Sequence, residues 1–210
     1  MSTLFWDVDT QHDFMRADGA LYVPDAEAII PNLARLRQHA TARRIPVVAS
    51  ADWHQPTDPE LSTSPDWKTT FPPHCLAGTP GAEKLPETAL VDPLVLDVER
   101  IEHTQLTKRI RLHGGDLLIR KRQFDVFTNP NTATALLAIG PEHVIVFGVA
   151  LDVCCRFAID GLLQYWSTAR ISVVTDATRP IDAARAPGLL EGWRRQAVEL
   201  ITTEQALAEA

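Results

Sequence analysis

The sequence predicts an α/β protein built on a doubly wound, mostly parallel sheet flanked by helices. Three observations predict it. Short β-branched runs alternate with longer helical patterns along the 210 residues. The run Val144 to Phe147 is apolar at every position, as expected when helices cover both faces of a parallel sheet. Reactive side chains collect just after the strand-like runs, where open parallel sheets bind their ligands.

In chain order, "TLFWDVD" reads as the first strand. "PDAEAIIPNLARLRQHATARR" follows as a helix, with Ile29, Leu33 and Leu36 at helical spacing and Arg43 and Arg44 near its end. "IPVVASAD" is the second strand and "DLLIRKRQF" the third. "TATALLAIG" is a helix closed by Gly140, which suits a left-handed cap. "HVIVFGVA" is the fourth strand, leading into a helix that runs through Trp166. The strand "ARISVVTDA", a helix around "APGLLEGWRRQA" and the run "VELITT" complete the pattern.

Two regions break the alternation. Residues 55–88 form a Pro/Thr/Ser-rich stretch too long for an ordinary connection, and such loops are often functional. Residues 89–115 resemble an extended segment plus a short basic helix, an insertion suited to a subunit contact or a pocket lid. A single domain over 1–210 is expected, since the length supports one substantial core.

Composition narrows the function classes. A formal net charge of −7 with no compensating basic tract argues against a nucleic-acid partner. No window approaches the ~18 apolar residues of a membrane span, and the opening "MSTLFWDVDTQHDF" has no basic head or cleavage site. Cys75, Cys154 and Cys155 are an odd set without framework spacing. A cytoplasmic protein with reduced thiols is expected.

The polar residues at the strand ends are more specific. The first strand delivers Asp7 and Asp9, the second Asp52 and His54, the third Lys121 flanked by Arg120 and Arg122, and the fourth Asp152, Cys154 and Cys155. Cys154 falls in the first turn of a helix, where the dipole and a nearby lysine lower a thiol pKa from ~8.5. A carboxylate at the same place accepts the proton as the sulfur attacks. Cys155 points elsewhere on that helix, into packing. Asp52 and His54 are two apart and face the same way in extended chain. With His74 from the long loop they suit one divalent ion, Zn²⁺, Mn²⁺ or Fe²⁺, with open positions for water. Glu60 is either a further ligand or a solvated loop carboxylate.

These motifs together resemble the isochorismatase-like cysteine hydrolases, and within them the nicotinamidases (pyrazinamidases), over nearly the whole chain. "DTQHDF" is similar to the family's Asp-x-Gln-x-Asp-Phe opening, which assigns the catalytic carboxylate to Asp9. "ADWHQP" and "FPPHCLAGTPGAE" are similar to its metal segments, "IRKRQFDVF" to its lysine segment, and "GVALDVCCRFAIDG" to its nucleophile segment. The resemblance implies a three-layer sandwich and hydrolysis of a linear carboxamide C–N bond, nicotinamide to nicotinate and ammonia, through a thioester on Cys154. Asp9 and Lys121 are then the other catalytic groups, and the N–H groups of Ala150 and Cys154 the oxyanion hole. A cis Val149–Ala150 bond, a pocket lined by Phe14 and Phe71, and no organic cofactor are also implied. Phe71 stands where nicotinamidases commonly have tryptophan. A homo-oligomer acting on a small-molecule amide in NAD metabolism is expected. Another small amide or carbamoyl substrate, or a binding protein that has lost turnover, are the alternatives.

Overall fold

The computed structural model describes residues 2–210. Its strands are β1 (Thr3–Val8), β2 (Val47–Asp52), β3 (Leu94–Leu96), β4 (Leu117–Lys121), β5 (His143–Val149), β6 (Arg170–Arg179) and β7 (Glu199–Ile201). Its helices are α1 (His12–Met15), α2 (Ile30–Arg43), α3 (His103–His113), α4 (Thr132–Ile139), α5 (Cys154–Tyr165), α6 (Ala186–Arg195) and α7 (Thr203–Glu209). The seven strands form one sheet in the order β3-β4-β2-β1-β5-β6-β7, and every pair is parallel. The predicted fold class is therefore the observed one.

Alternation along β1 sorts the two layers of helices. Leu4, Trp6 and Val8 face a core built with α3, α4, α5 and α6, which contributes Leu106, Leu136, Ile159 and Trp193. Phe5 faces the opposite core, where α1, α2 and α7 bring Met15, Leu33 and Ala206. Each fully buried Leu, Ile or Phe side chain removes roughly 1.5–3 kcal/mol of unfavourable exposure, so both faces of β1 resist displacement. That makes the sheet centre a rigid base for whatever its strand ends carry.

The departures from the sequence reading have local causes. The long first helix starts only at Ile30, after a 3-10 turn over Ala26–Ile29. Pro31 lacks the N–H that an earlier start would require, and is tolerated in the first turn where that donor is unused. Residues 89–115 supply the edge strand β3 and helix α3, as the extended-plus-basic pattern indicated. Helix α7 was not predicted; its Thr202 cap and Gln205 form a reciprocal capping box. Gly140 does cap α4 in the left-handed region, its N–H donating to Leu136 O at 2.8 Å. Gly148 has φ +116, and a Cβ there would lie 2.0 Å from Val8 O. Only glycine permits β5 to approach β1 so closely just before the Cys154 turn. No helix is long and apolar enough to cross a membrane among the described residues.

Candidate active site

Four neighbouring strands, β4-β2-β1-β5, end side by side, with Val8 opposite both Ser50 and Gly148 and Asp52 opposite Lys121. Asp9 is the first residue past β1, at φ +45, a left-handed turn that Asp tolerates better than most residues. Asp52 closes β2, Lys121 closes β4 and Cys154 begins α5 just after β5. Asp9, Asp52, Lys121 and Cys154 are all buried.

The Lys121 ammonium joins the set. Its Nζ is 3.0 Å from Asp9 Oδ2, contacts Asp52 Oδ1 directly and lies 3.6 Å from Cys154 Sγ. The Ser50 hydroxyl donates to Asp9 Oδ1 at 2.6 Å. Burial raises the Asp9 carboxyl above its ordinary value, against the opposing pull of Lys121. Burial likewise pushes the Cys154 thiol well up, more than Lys121 can offset, with Asp9 and Asp52 adding to the rise. This corrects the expectation of a lowered thiol: the helix terminus and the lysine are present, but a dry site with two carboxylates outweighs them.

Asp7, the other carboxylate of the first strand, is occupied elsewhere: Lys84 Nζ is 2.9 Å from it and the Thr10 hydroxyl donates to it at 2.8 Å. Cys155 is fully buried in the core. Cys75 is buried too, its thiol raised by burial.

Backbone groups complete the corner. The Val149–Ala150 peptide is cis, as the resemblance implied. The turn uses Ala150 O to accept the N–H groups of Val153 at 3.1 Å and Cys155 at 3.0 Å. Among the described residues, the N–H groups of Ala150 and Cys154 are not drawn into these turn bonds.

Beside this corner, Asp52, His54 and His74 bring one donor atom each within 4.8 Å of one another. His54 Nε2 is 3.8 Å from Asp52 Oδ2, and His74 Nε2 is 3.7 Å from the same oxygen. Glu60 Oε2 lies 3.8 Å from His54 Nε2. These gaps are too wide for hydrogen bonds, and His54 Nε2 and Glu60 Oε2 are buried without any partner. The outer nitrogens are engaged instead. His54 Nδ1 meets Asp58 Oδ2 at 3.2 Å, and His74 Nδ1 meets Pro72 O at 2.7 Å. With a proton on each Nδ1, both Nε2 lone pairs point at one place, the arrangement a divalent ion requires. The donor set fits such an ion. Glu60 is buried beside His54 rather than solvated, and burial pushes its carboxyl up to about 7.

A small cavity of about 10 Å³ lies over the sulfur, room for about one water molecule. Phe14 and Phe71 line it, together with Leu21, Phe124 and Ile181, which the sequence did not single out. None of its lining residues comes from 89–115.

Other missed residues act through the named ones. Gln11 grips the Asp52 backbone from both sides: its Oε1 accepts Asp52 N–H at 2.7 Å and its Nε2 donates to Asp52 O at 2.8 Å. Asp13 Oδ2 accepts the Cys75 N–H at 2.6 Å, holding the loop beside His74. Arg122 Nε donates to Asp58 at 2.9 Å, bracing the carboxylate behind His54. Gln11 and Asp13 sit in the quoted opening motif, so a signal existed; Asp58, four residues beyond His54, gave none.

A thiol, an ammonium and a carboxylate thus meet at the ends of a parallel sheet, beside a cluster of metal-type donors. The isochorismatase domain family matches residues 4–101 and 96–205, and the chain belongs to that family. The nicotinamidase/pyrazinamidase of Mycobacterium tuberculosis is 28% identical over 92% of this chain and 95% of its own length. A probable inactive nicotinamidase of Arabidopsis thaliana is 27% identical over 81% of this chain and 77% of its own. Among solved structures, the pyrazinamidase of Pyrococcus horikoshii in complex with zinc superposes with a TM-score of 0.73. It is 23% identical, and the match covers 96% of this chain and 99% of that one.

Proposed function

We propose that this chain is a metal-dependent cysteine amidohydrolase that converts nicotinamide to nicotinate and ammonia. The observation that carries the reading is the contact of one ammonium, Lys121, with Asp9, Asp52 and Cys154 together. A protein that only bound a ligand would have no chemical use for all of these groups in one dry site. The similarity to the M. tuberculosis enzyme supports the substrate; the Arabidopsis relative shows that similarity alone does not guarantee turnover, which leaves the argument to the residues.

Asp9 takes the Cys154 proton as the sulfur attacks the carboxamide carbon. The N–H groups of Ala150 and Cys154 receive the resulting oxyanion, and the Lys121 ammonium keeps Asp9 oriented throughout. Asp9 then returns the proton to the leaving nitrogen, releasing ammonia and leaving a thioester. In the second half Asp9 takes one proton from water, whose oxygen attacks the thioester carbon, and gives it back to the sulfur as nicotinic acid departs, its remaining proton passing to solvent to leave nicotinate. Asp52, His54 and His74, with Glu60 as a fourth donor, would hold a divalent zinc, manganese or iron ion. When bound, that ion supplies a Lewis-acid contact for the ring nitrogen. Phe14, Phe71 and Phe124 offer the ring apolar walls.

The test is ammonia release from nicotinamide by the purified, metal-loaded protein. No ammonia from a protein whose Cys154 still alkylates would overturn the substrate. A second reading, a smaller amide or carbamoyl compound, draws on the small cavity; a panel of aliphatic amides separates the two.

A further inference from the structure

We propose that Asp152 is a positioning residue: its carboxylate clamps the Ala150–Cys154 turn to the loop bearing Ile181 and so sets the gap between the sulfur and one wall of the pocket. The proposal rests on the functional reading above for its substrate, but not for its geometry. Asp152 lies two residues before Cys154 and is only 4% exposed. No Lys, Arg or His forms a salt bridge with it among the described residues. A buried carboxylate without a cation is expensive unless its oxygens are hydrogen-bonded.

Both of its oxygens are satisfied by one neighbouring loop. Oδ1 accepts the Ile181 N–H at 2.8 Å and Oδ2 the Asp182 N–H at 3.1 Å. A third strut runs beside them, from the Leu151 N–H to Arg179 O at 2.8 Å. The two sides so joined are two sides of one cavity. Ala150, Val153 and Cys154 line it from the turn, and Ile181 lines it from the loop.

The cavity, at about 10 Å³, is far below the roughly 150 Å³ known to admit a benzene ring. A ring must therefore push a wall aside to reach the sulfur. Ile181 is partly exposed, as is Phe124, whereas Phe14 and Phe71 are buried, so the Ile181 loop is one of the walls with room to give. Asp152 determines how far and how readily it yields. Only a carboxylate accepts both N–H groups there; an asparagine has one acceptor oxygen and would set an N–H₂ against the second donor.

The test is a double-mutant cycle read by alkylation of Cys154, using iodoacetamide as a small probe and iodoacetanilide as a ring-bearing one. Cys154→Ala corrects for labelling at Cys75 and Cys155. Ile181→Ala should raise the ring-to-small rate ratio about fivefold by removing the wall, and Asp152→Asn should raise it comparably by releasing the wall. In the double variant the ratio should not exceed the larger single effect. Multiplied effects in the double variant would show that Ile181 is placed independently of Asp152 and overturn the proposal. A lowered melting temperature in Asp152→Asn with an unchanged ratio would reduce the carboxylate to a structural brace, and also overturn it. Asp152→Ser, which keeps one acceptor, serves if the asparagine variant does not fold. A wild-type protein that fails to hydrolyse nicotinamide sinks the substrate assignment but leaves this cycle readable.

Discussion

Ser50 offers the cleanest measure of how the site controls its proton. Its hydroxyl donates to Asp9 Oδ1 at 2.6 Å in a fully buried setting, and that bond favours the ionised carboxylate. A hydrogen bond to a charged group contributes about 1.5–3 kcal/mol. At 1.36 kcal/mol per pH unit, Ser50→Ala should raise the apparent pKa of the Asp9 centre by roughly 1–2 units. In the proposed mechanism Asp9 accepts the thiol proton only when ionised, so the acid limb of kcat/KM against pH should move upward by that amount. Well below both pKa values the rate should fall tenfold to a hundredfold, and it should recover toward wild type on the alkaline side.

Stability must follow the same sign. Burial already raises the folded Asp9 carboxyl above its unfolded value, so the folded state gains stability as pH falls through that window. Ser50→Ala should therefore cost most above the folded pKa and least below it. The assay is a pH series at constant ionic strength, with the alkylation rate of Cys154 followed in parallel. The limbs belong to the coupled Asp9, Lys121 and Cys154 group rather than to one residue, and the prediction concerns their displacement. An acid limb that stays put in a folded Ser50→Ala protein would refute the role of Asp9 as proton acceptor.

Lys121→Met should lower unfolding stability at pH 7 by about 3–5 kcal/mol, because Asp9 and Asp52 lose their buried cation; equal urea midpoints would contradict that. The raised lysine pKa means its contribution is fully present below the unfolded value near 10.4 and is lost only as pH rises through the folded one. Cys154→Ala should abolish turnover and thioester formation, whereas Cys155→Ala should keep most of the rate at a cost of about 1 kcal/mol. Equal loss of activity in both would reassign the nucleophile. His74→Ala should lower divalent-metal stoichiometry, measured by elemental analysis after dialysis; unchanged metal content would place the ion elsewhere. Asp58→Asn should weaken metal affinity about 10–100-fold by freeing the outer nitrogen of His54, and unaltered affinity would show that Arg122 and Asp58 are only a surface brace.

The strand–helix alternation and the residues at the strand ends were legible in the sequence because period and position carry them. A fully apolar run such as Val144 to Phe147 has one plausible setting, and polar groups at its end follow from it. Helix α7 was not legible, since its Thr202/Gln205 box resembles any polar tail until β7 brings it to the sheet. Ser50 was hidden for a different reason. It reads as an ordinary strand residue, and its worth comes from Asp9, which is 41 positions away in the chain.

Lys121 shows what sequence order could not supply. Asp9 and Lys121 would both reach the sulfur most simply if β1 and β4 neighboured β5. Only β1 does; β2 and β1 both lie between β4 and β5. Asp52, at the end of the intervening β2, holds the ammonium on one side and turns its other oxygen toward His54 and His74. The same carboxylate thus belongs to both the sulfur site and the metal cluster. Loss of Asp52 should consequently injure metal binding and thiol reactivity together, whereas loss of His74 should leave alkylation of Cys154 nearly intact. If both variants alkylate alike, the two halves of this site are mechanically separate.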